Sequence, residues 1–237
     1  NLLGERKAIT ASQEGRLACE SKRRWVLTEK LSETDEAWDF YRQLHEESPQ
    51  DVEILEALAR IAGARGETAL AIQYLDGLSQ TATDPATAAR YQRRVAEVHL
   101  RSDDRAAARR ALEQALDFNA ADTEALAELK SLASVDEDWR GMVGVLSREA
   151  ASAPGQAQVD CYRQIADIWE NKLNEPMIAQ ETWGRVFELS PGDPEALKHL
   201  VALARTREDW MTFAEKGALL VQILDGEERS EFMAELG

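Results

Sequence analysis

The strongest constraint on this chain is that it repeats itself at a shift of 71 residues (208 − 137). The triplet Glu-Asp-Trp occurs at Glu137-Asp138-Trp139 and again at Glu208-Asp209-Trp210. At that shift Asp122, Glu124, Ala125, Leu126, Leu129, Leu132 and Ala133 meet Asp193, Glu195, Ala196, Leu197, Leu200, Leu203 and Ala204. One shift earlier, Asp51, Glu53, Leu55, Leu58 and Ala62 fall on the same positions. Ala37, Ala108 and Ala179 coincide, as do Tyr41, Leu112 and Trp183, and Gly155 meets Gly226. Polar and apolar types returning at one fixed interval mark a stack of like units, each burying its apolar face on the next.

Within a unit the apolar spacing is helical. Leu55, Leu58 and Ala62 keep i, i+3, i+7, and Leu126, Leu129 and Ala133 do the same. Asp51, Asp122 and Asp193 stand where each can cap a helix, with a glutamate two residues on to favour the amino-terminal dipole end. Pro194 falls at a first helical position, where its missing N–H costs nothing. Ser32 opens a capping box, and Asn174-Glu175-Pro176 reads as another start. Glycine and proline together are only 13 and 6 residues, which disfavours a turn-rich β architecture.

The pattern predicts first helices at roughly 17–31, 52–64, 85–101, 123–135, 156–173 and 194–206. Their partners are predicted at roughly 33–48, 67–80, 104–119, 138–153, 175–190 and 209–224. Glu-Asp-Trp then forms the tight turn into a second helix, with Asp138 and Asp209 as caps and Trp139 and Trp210 packing back over the turn.

Hairpins of this size, with large and small residues at fixed places, resemble tetratricopeptide repeats. The third hairpin matches best: Val95 and Ala96 stand for the leucine–small pair, Ala108 opens the second helix, Leu112 is its large packing residue and Ala115 lies near its end. Pro191 after "RVFELS" closes a repeat as the family does. Met142 and Phe213 depart from the pattern, because a small alanine is expected there. The resemblance implies an all-α fold, an α-solenoid of antiparallel helix hairpins wound as a right-handed superhelix. It implies one repeat domain over 1–237, with modules at about 18–88, 89–159 and 160–230. Residues 1–13 read like the tail of a second helix, and Glu228 to Gly237 like the start of a first one. The chain also opens on Asn1 rather than Met, so it reads as a piece of a longer array whose open ends could pair with a second copy.

Little in the chain points to chemistry. Cys19 and Cys161 occupy equivalent places two modules apart, too far for a disulfide or a shared metal in such an array. His45, His99 and His199 fall in three separate hairpins, and no Ser/His/Asp or Cys/His arrangement assembles. No cofactor and no metal are expected, and the chain reads as non-enzymatic. The formal charge of −16 opposes nucleic acid and anionic membrane at long range. No apolar run approaches the ~18–20 residues of a membrane span. Two cysteines and no leader pattern suggest the cytoplasm, and the alanine and arginine content suggests a bacterial source. Trp25 fits the register poorly and reads as core or rim.

One cluster stands above this background. Between residues 90 and 110 lie Arg90, Arg93, Arg94, Arg101, Arg105, Arg109 and Arg110, against Glu97, Asp103 and Asp104. Arg90, Arg94 (or Arg93), Glu97 and Arg101 share one face of a first helix whose core face is Tyr91, Val95 and Val98. The resemblance implies that first helices line the concave groove, where Arg60 from the preceding first helix could join. Guanidinium forks hold carboxylates in pairs, so an acidic peptide or chain terminus is the expected guest. The lysine/asparagine carboxylate clamp of the family's chaperone-tail-binding members is absent: the groove positions hold Glu53, Glu56, Arg60, Arg93, Glu97 and Glu128. The sequence therefore reads as a scaffold that binds a protein or peptide through Arg60, Arg90, Arg93, Arg94, Glu97 and Arg101. The alternative is a structural spacer with no groove ligand.

Overall fold

The computed structural model describes residues 35–236. The predicted helix at 17–31, the Ser32 capping box, Cys19, Trp25 and residues 1–13 lie outside them. Twelve α-helices run through the described residues, which contain no β-strand. They are α1 (Asp35–Glu47), α2 (Val52–Ala64), α3 (Thr68–Thr81), α4 (Pro85–Arg101), α5 (Arg105–Phe118), α6 (Thr123–Val135) and α7 (Trp139–Ser152). There follow α8 (Gln156–Asp167), α9 (Pro176–Leu189), α10 (Pro194–Thr206), α11 (Trp210–Ile223) and α12 (Gly226–Leu236). Each predicted first or second helix among these residues appears with its ends within two residues of expectation. The one break in pattern is inside the predicted 156–173 helix, which continues past α8 as a π turn at Ile168–Lys172.

The chain divides into two compact units, residues 1–119 and residues 120–237. The division falls in the link between α5 and α6, so no hairpin is split. In the first unit each helix packs on the next from α1 to α5, and in the second from α6 to α12. Links of a few residues force such neighbours to run antiparallel. The result in each unit is a set of stacked, tetratricopeptide-like helix hairpins.

Among the described residues the turn inside each hairpin has one recurring device. Gly66, Asp103, Glu137, Asn174 and Glu208 all have positive φ, between 50° and 75°. Gly66, Glu137 and Glu208 are successive positions at the 71-residue shift, and so are Asp103 and Asn174. The residue after each turns its N–H back onto the finished helix. Glu67, Asp104, Asp138 and Asp209 donate to the carbonyls of Ala62, His99, Ala133 and Ala204, at 2.9 to 3.0 Å. This satisfies a carbonyl that the helix end would otherwise leave open. After the π turn the same bond reaches one residue further back, from Glu175 N–H to Trp169 O at 2.8 Å.

Caps then start the next helix. Asp138 Oδ1 accepts from Gly141 N at 2.9 Å, and Asp209 Oδ1 from Thr212 N at 3.2 Å. Thus the aspartate of Glu-Asp-Trp is a cap, and the glutamate before it takes the left-handed conformation. Asp51, Asp122 and Asp193 each accept from two backbone N–H groups at the head of α2, α6 and α10. Asn174 is not the expected start. It occupies the left-handed turn position, and Glu175 precedes α9 without a side-chain cap. Asp193 is buried and also holds the Arg163 guanidinium. Burial pushes its carboxyl up, but the Ala196 N–H and Arg163 outweigh that and hold it below the ordinary carboxylate range.

The repeated positions are the buried ones. Ala37, Ala108 and Ala179 are fully buried, and Tyr41, Leu112 and Trp183 stand beside them at 3%, 0% and 2% exposure. A small residue lets two helices approach, and the large one fills the gap a turn away. In the first unit α1 and α2 join around Trp38, Tyr41, Ile54, Leu58 and Ile61, so Trp38 faces inward more clearly than the sequence suggests. In the second, Val159, Trp183, Val186 and Leu200 form the corresponding core of α8, α9 and α10. Trp169 lies half-buried at its edge. Cys161 is a buried free thiol, and burial pushes its pKa up.

The two Trp residues of Glu-Asp-Trp part company. Trp139 is half-buried against Leu146, Ile165 and Ile168, with Lys172 Nζ 4.9 Å from its ring. Trp210 is 60% exposed, with Phe213 edge-on at 6.1 Å as its aromatic neighbour. The expectation that both pack away therefore fails for Trp210. Trp139 is covered by Ile165 of α8 and by Ile168 of the π turn that follows it. Urea unfolding checks this ranking. Trp183→Ala should cost about 3–5 kcal/mol, Trp139→Ala about 1–3, and Trp210→Ala less than about 1. Equal losses at the three sites would contradict the burial pattern.

Candidate partner-binding surface

The seven arginines of the sequence window separate by helix. Arg90, Arg93, Arg94 and Arg101 project from α4, whereas Arg105, Arg109 and Arg110 belong to α5. Within α4 a buried stripe of Ala88, Tyr91, Gln92, Val95 and Ala96 fixes the helix against its neighbours. The expected core face is therefore present, with Val98 half-buried and Gln92 as an unforeseen polar member. Arg90 and Arg101 are exposed, and Arg93 and Arg94 are half-buried. Arg60 is exposed on α2, and Glu97 on α4.

Tyr91 organises the surface. Its ring is buried, and its phenol donates to Glu56 Oε1 of α2 at 2.7 Å. The guanidinium carbons of Arg90 and Arg94 lie 5.4 and 5.9 Å from the ring centroid, within cation–π range. Burial, then the hydrogen bond to Glu56, raises the phenol's pKa, and Arg90 opposes the rise. A buried aromatic with one carboxylate behind it and two guanidinium groups along its ring thus restrains two otherwise mobile side chains. Arg101 is held differently: Nη2 meets Glu97 Oε2 at 3.8 Å across one helical turn, with both side chains largely exposed. A pair of that kind is screened and contributes little. Arg90, Arg93, Arg94, Glu97 and Arg101 are thus all on α4, and Arg60 stands on α2.

The sequence did not reveal the Tyr91–Glu56 bond, because nothing in the spacing of 56 and 91 announces a cross-helix pair. A second polar group also escaped it. Glu170, on the π turn, accepts from Trp183 Nε1 and pairs with His199 Nδ1, both at 2.8 Å on the same oxygen. The indole and imidazole rings stack with centroids 4.2 Å apart. With both partners converging on one carboxylate oxygen, the group ties the π turn, α9 and α10 together. Among the described residues no three His, Cys, Asp or Glu side chains gather as metal ligands, and no helix is long and apolar enough to cross a membrane.

No family model matches the chain, and no curated protein matches it. Solved structures do. One is YrrB, described as a tetratricopeptide-repeat protein with an unusual peptide-binding site: 16% identity, 83% of this chain and 98% of that one, TM-score 0.38. Another is MamA from Desulfovibrio magneticus RS-1: 16% identity, 76% and 96% coverage, TM-score 0.37. A third is Naa15/Naa10 bound to HypK: 14% identity, 83% of this chain but 30% of that one, TM-score 0.48. At such identities and scores nothing about ligands carries over to this chain.

The two kinds of arginine restraint separate in a stability measurement. Tyr91→Phe removes a hydrogen bond to a carboxylate and should lower the urea unfolding free energy by about 1–2 kcal/mol. Arg101→Ala should change it by less than about 0.5 kcal/mol. A neutral Tyr91→Phe would show that Glu56 does not anchor this surface.

Proposed function

We propose that the protein is a non-enzymatic scaffold that binds another protein or an acidic peptide through the face carrying Arg60, Arg90, Arg93, Arg94, Glu97 and Arg101. The observation behind this reading is the restrained pair Arg90 and Arg94 along the Tyr91 ring. A guanidinium stacked on an aromatic ring keeps its N–H edges directed outward while losing little further freedom on binding a carboxylate. Positive side chains concentrated on α4 in a chain of net charge −16 would also set where an acidic partner lands, more than how tightly it holds. On this reading the hairpins form one interaction domain of repeated 71-residue modules, and the groove positions of the first helices present the contacts.

The competing reading is a spacer array with no groove ligand. The Arg101–Glu97 pair favours it, since an arginine satisfied within its own helix offers less to a guest. Affinity capture distinguishes the two. Wild-type protein and an Arg90→Glu/Arg93→Glu/Arg94→Glu variant are compared as baits at low and high salt. The scaffold reading expects partners that the variant loses and that salt weakens. If the variant retains every partner, this face is not the binding surface.

A further inference from the structure

The second unit holds a groove between α9 and α11, the second helices of successive hairpins. Its volume is about 440 Å³, and Met177, Glu181, Gly184, Phe187, Leu200 and Lys216 are among its lining residues. The two helices run in the same direction along it. Gln180 of α9 accepts from Arg207 just before α11, and about two turns farther on Lys216 Nζ lies 4.5 Å from the centroid of the Phe187 ring.

Two features of α9 set this groove apart. Met177 is 67% exposed at one end of it. Gly184 lies two turns on, in the helix interior, where glycine costs stability relative to alanine. A Cβ at Gly184 would meet nothing within 4 Å, so no close contact among the described residues calls for glycine there. Residues seven apart share a helix face, so one face carries both a protruding thioether chain and a bare stretch of backbone. In the first unit the equivalent groove, between α1 and α3, is bridged by its own side chains. Two shifts of 71 residues earlier, Met177, Gln180, Gly184, Phe187, Arg207 and Lys216 correspond to Asp35, Trp38, Arg42, His45, Arg65 and Tyr74. Arg65 pairs with Asp35 and lies 5.5 Å from the centroid of the Trp38 ring, and His45 meets Tyr74 edge-on at 5.6 Å. Burial raises the Tyr74 phenol's pKa and the Arg42 charge opposes the rise, which places Arg42 beside it. The second unit keeps the helices and has none of these bridging side chains.

We propose that this groove is the interface through which two copies of the chain form a two-fold dimer. With the axis normal to the groove, α9 of one copy lies antiparallel across α11 of the other. Met177 of each copy then enters the end of the other's groove that Gly184 and Phe187 line. Charge favours a second copy as the occupant. Glu181 and Glu188 stand on the α9 edge, and Arg207 and Lys216 on the α11 edge. The same two-fold lays each acidic edge on a basic one, with Glu181 of one copy opposite Lys216 of the other and Arg207 opposite Glu188. The partners these groups already have do not prevent the exchange. Arg207 is held by the neutral Gln180 amide, while Glu188 and Lys216 pair with Arg185 and Glu215 on their own helices. Pairs to such exposed neighbours contribute little. The four charges also cancel, so a chain of net charge −16 meets itself here without local like-charge repulsion. This surface belongs to the second unit and does not rest on the arginine face of α4.

The test is sedimentation velocity of the full chain over a range of concentrations. The expected result is a monomer–dimer equilibrium that stops at two copies. Gly184→Arg and Met177→Asp introduce the residue types of the equivalent first-unit positions. Each should weaken dimerisation about tenfold or more, with an unchanged helical circular dichroism spectrum. Glu181→Lys should weaken it about threefold, and adding Lys216→Glu should recover the loss. A chain that stays monomeric at every concentration overturns the proposal, and so does a dimer that Gly184→Arg and Met177→Asp leave intact. Association that grows past two copies would overturn it in favour of contact through the ends of the array. A monomer that captures a foreign protein, and loses it with Gly184→Arg, would overturn it in favour of a heterologous partner. A charge-reversed double variant no tighter than Glu181→Lys would contradict the two-fold pairing.

Discussion

The structure depends on how each hairpin turns. At the end of a first helix one residue adopts a left-handed backbone, and the next N–H bonds the carbonyl five residues back, or six after the π turn. That geometry closes the helix and sets the direction in which the chain leaves it. In three of the hairpins the following aspartate then caps the second helix, so one short segment both stops and restarts helical structure. A change in the turn angle would misdirect the second helix, and the alanines that allow close approach would no longer face a partner.

Packing and surface follow from that direction. Fully buried Ala108 and Leu112 hold α5 on α4, which fixes where the outer side of α4 points. Tyr91 can therefore reach Glu56 across to α2, and Arg90 and Arg94 can lie along its ring. The same arrangement leaves Gln92 beneath the gap between α3 and α5. Tyr91 and Gln92 thus meet different neighbours, because residues 91 and 92 stand about 100° apart around the helix axis.

Much of this was legible in the sequence, because burial repeats with the chain. Ala37, Ala108 and Ala179 predicted one class of contact and Asp51, Asp122 and Asp193 one class of cap, and each position behaves as its counterparts do. Trp210 did not follow Trp139, since a residue covered by the next helix depends on what that helix supplies and not on its own register. The π turn at Ile168–Lys172 was invisible, because it changes hydrogen bonding without changing apolar spacing. The positive charge of α4 could be read directly. The partners of Tyr91 and Gln92 could not, although glutamine at a buried helical position between Ala88 and Val95 was itself a signal of a polar contact.

The most direct measurement exchanges the turn residues and follows urea unfolding. Gly66 and Glu137 are equivalent at the 71-residue shift and share a positive φ, and a side chain at 66 would meet nothing within 4 Å. Any effect there is therefore conformational. A left-handed non-glycine residue costs about 1–2 kcal/mol, and glycine's greater unfolded-state freedom offsets about 0.5–1 of that. Gly66→Ala is predicted to lower stability by about 1 kcal/mol, and Glu137→Gly to raise it by about 0.5–1 kcal/mol. A neutral Gly66→Ala together with a destabilising Glu137→Gly would contradict the left-handed turn as the device that organises the hairpins.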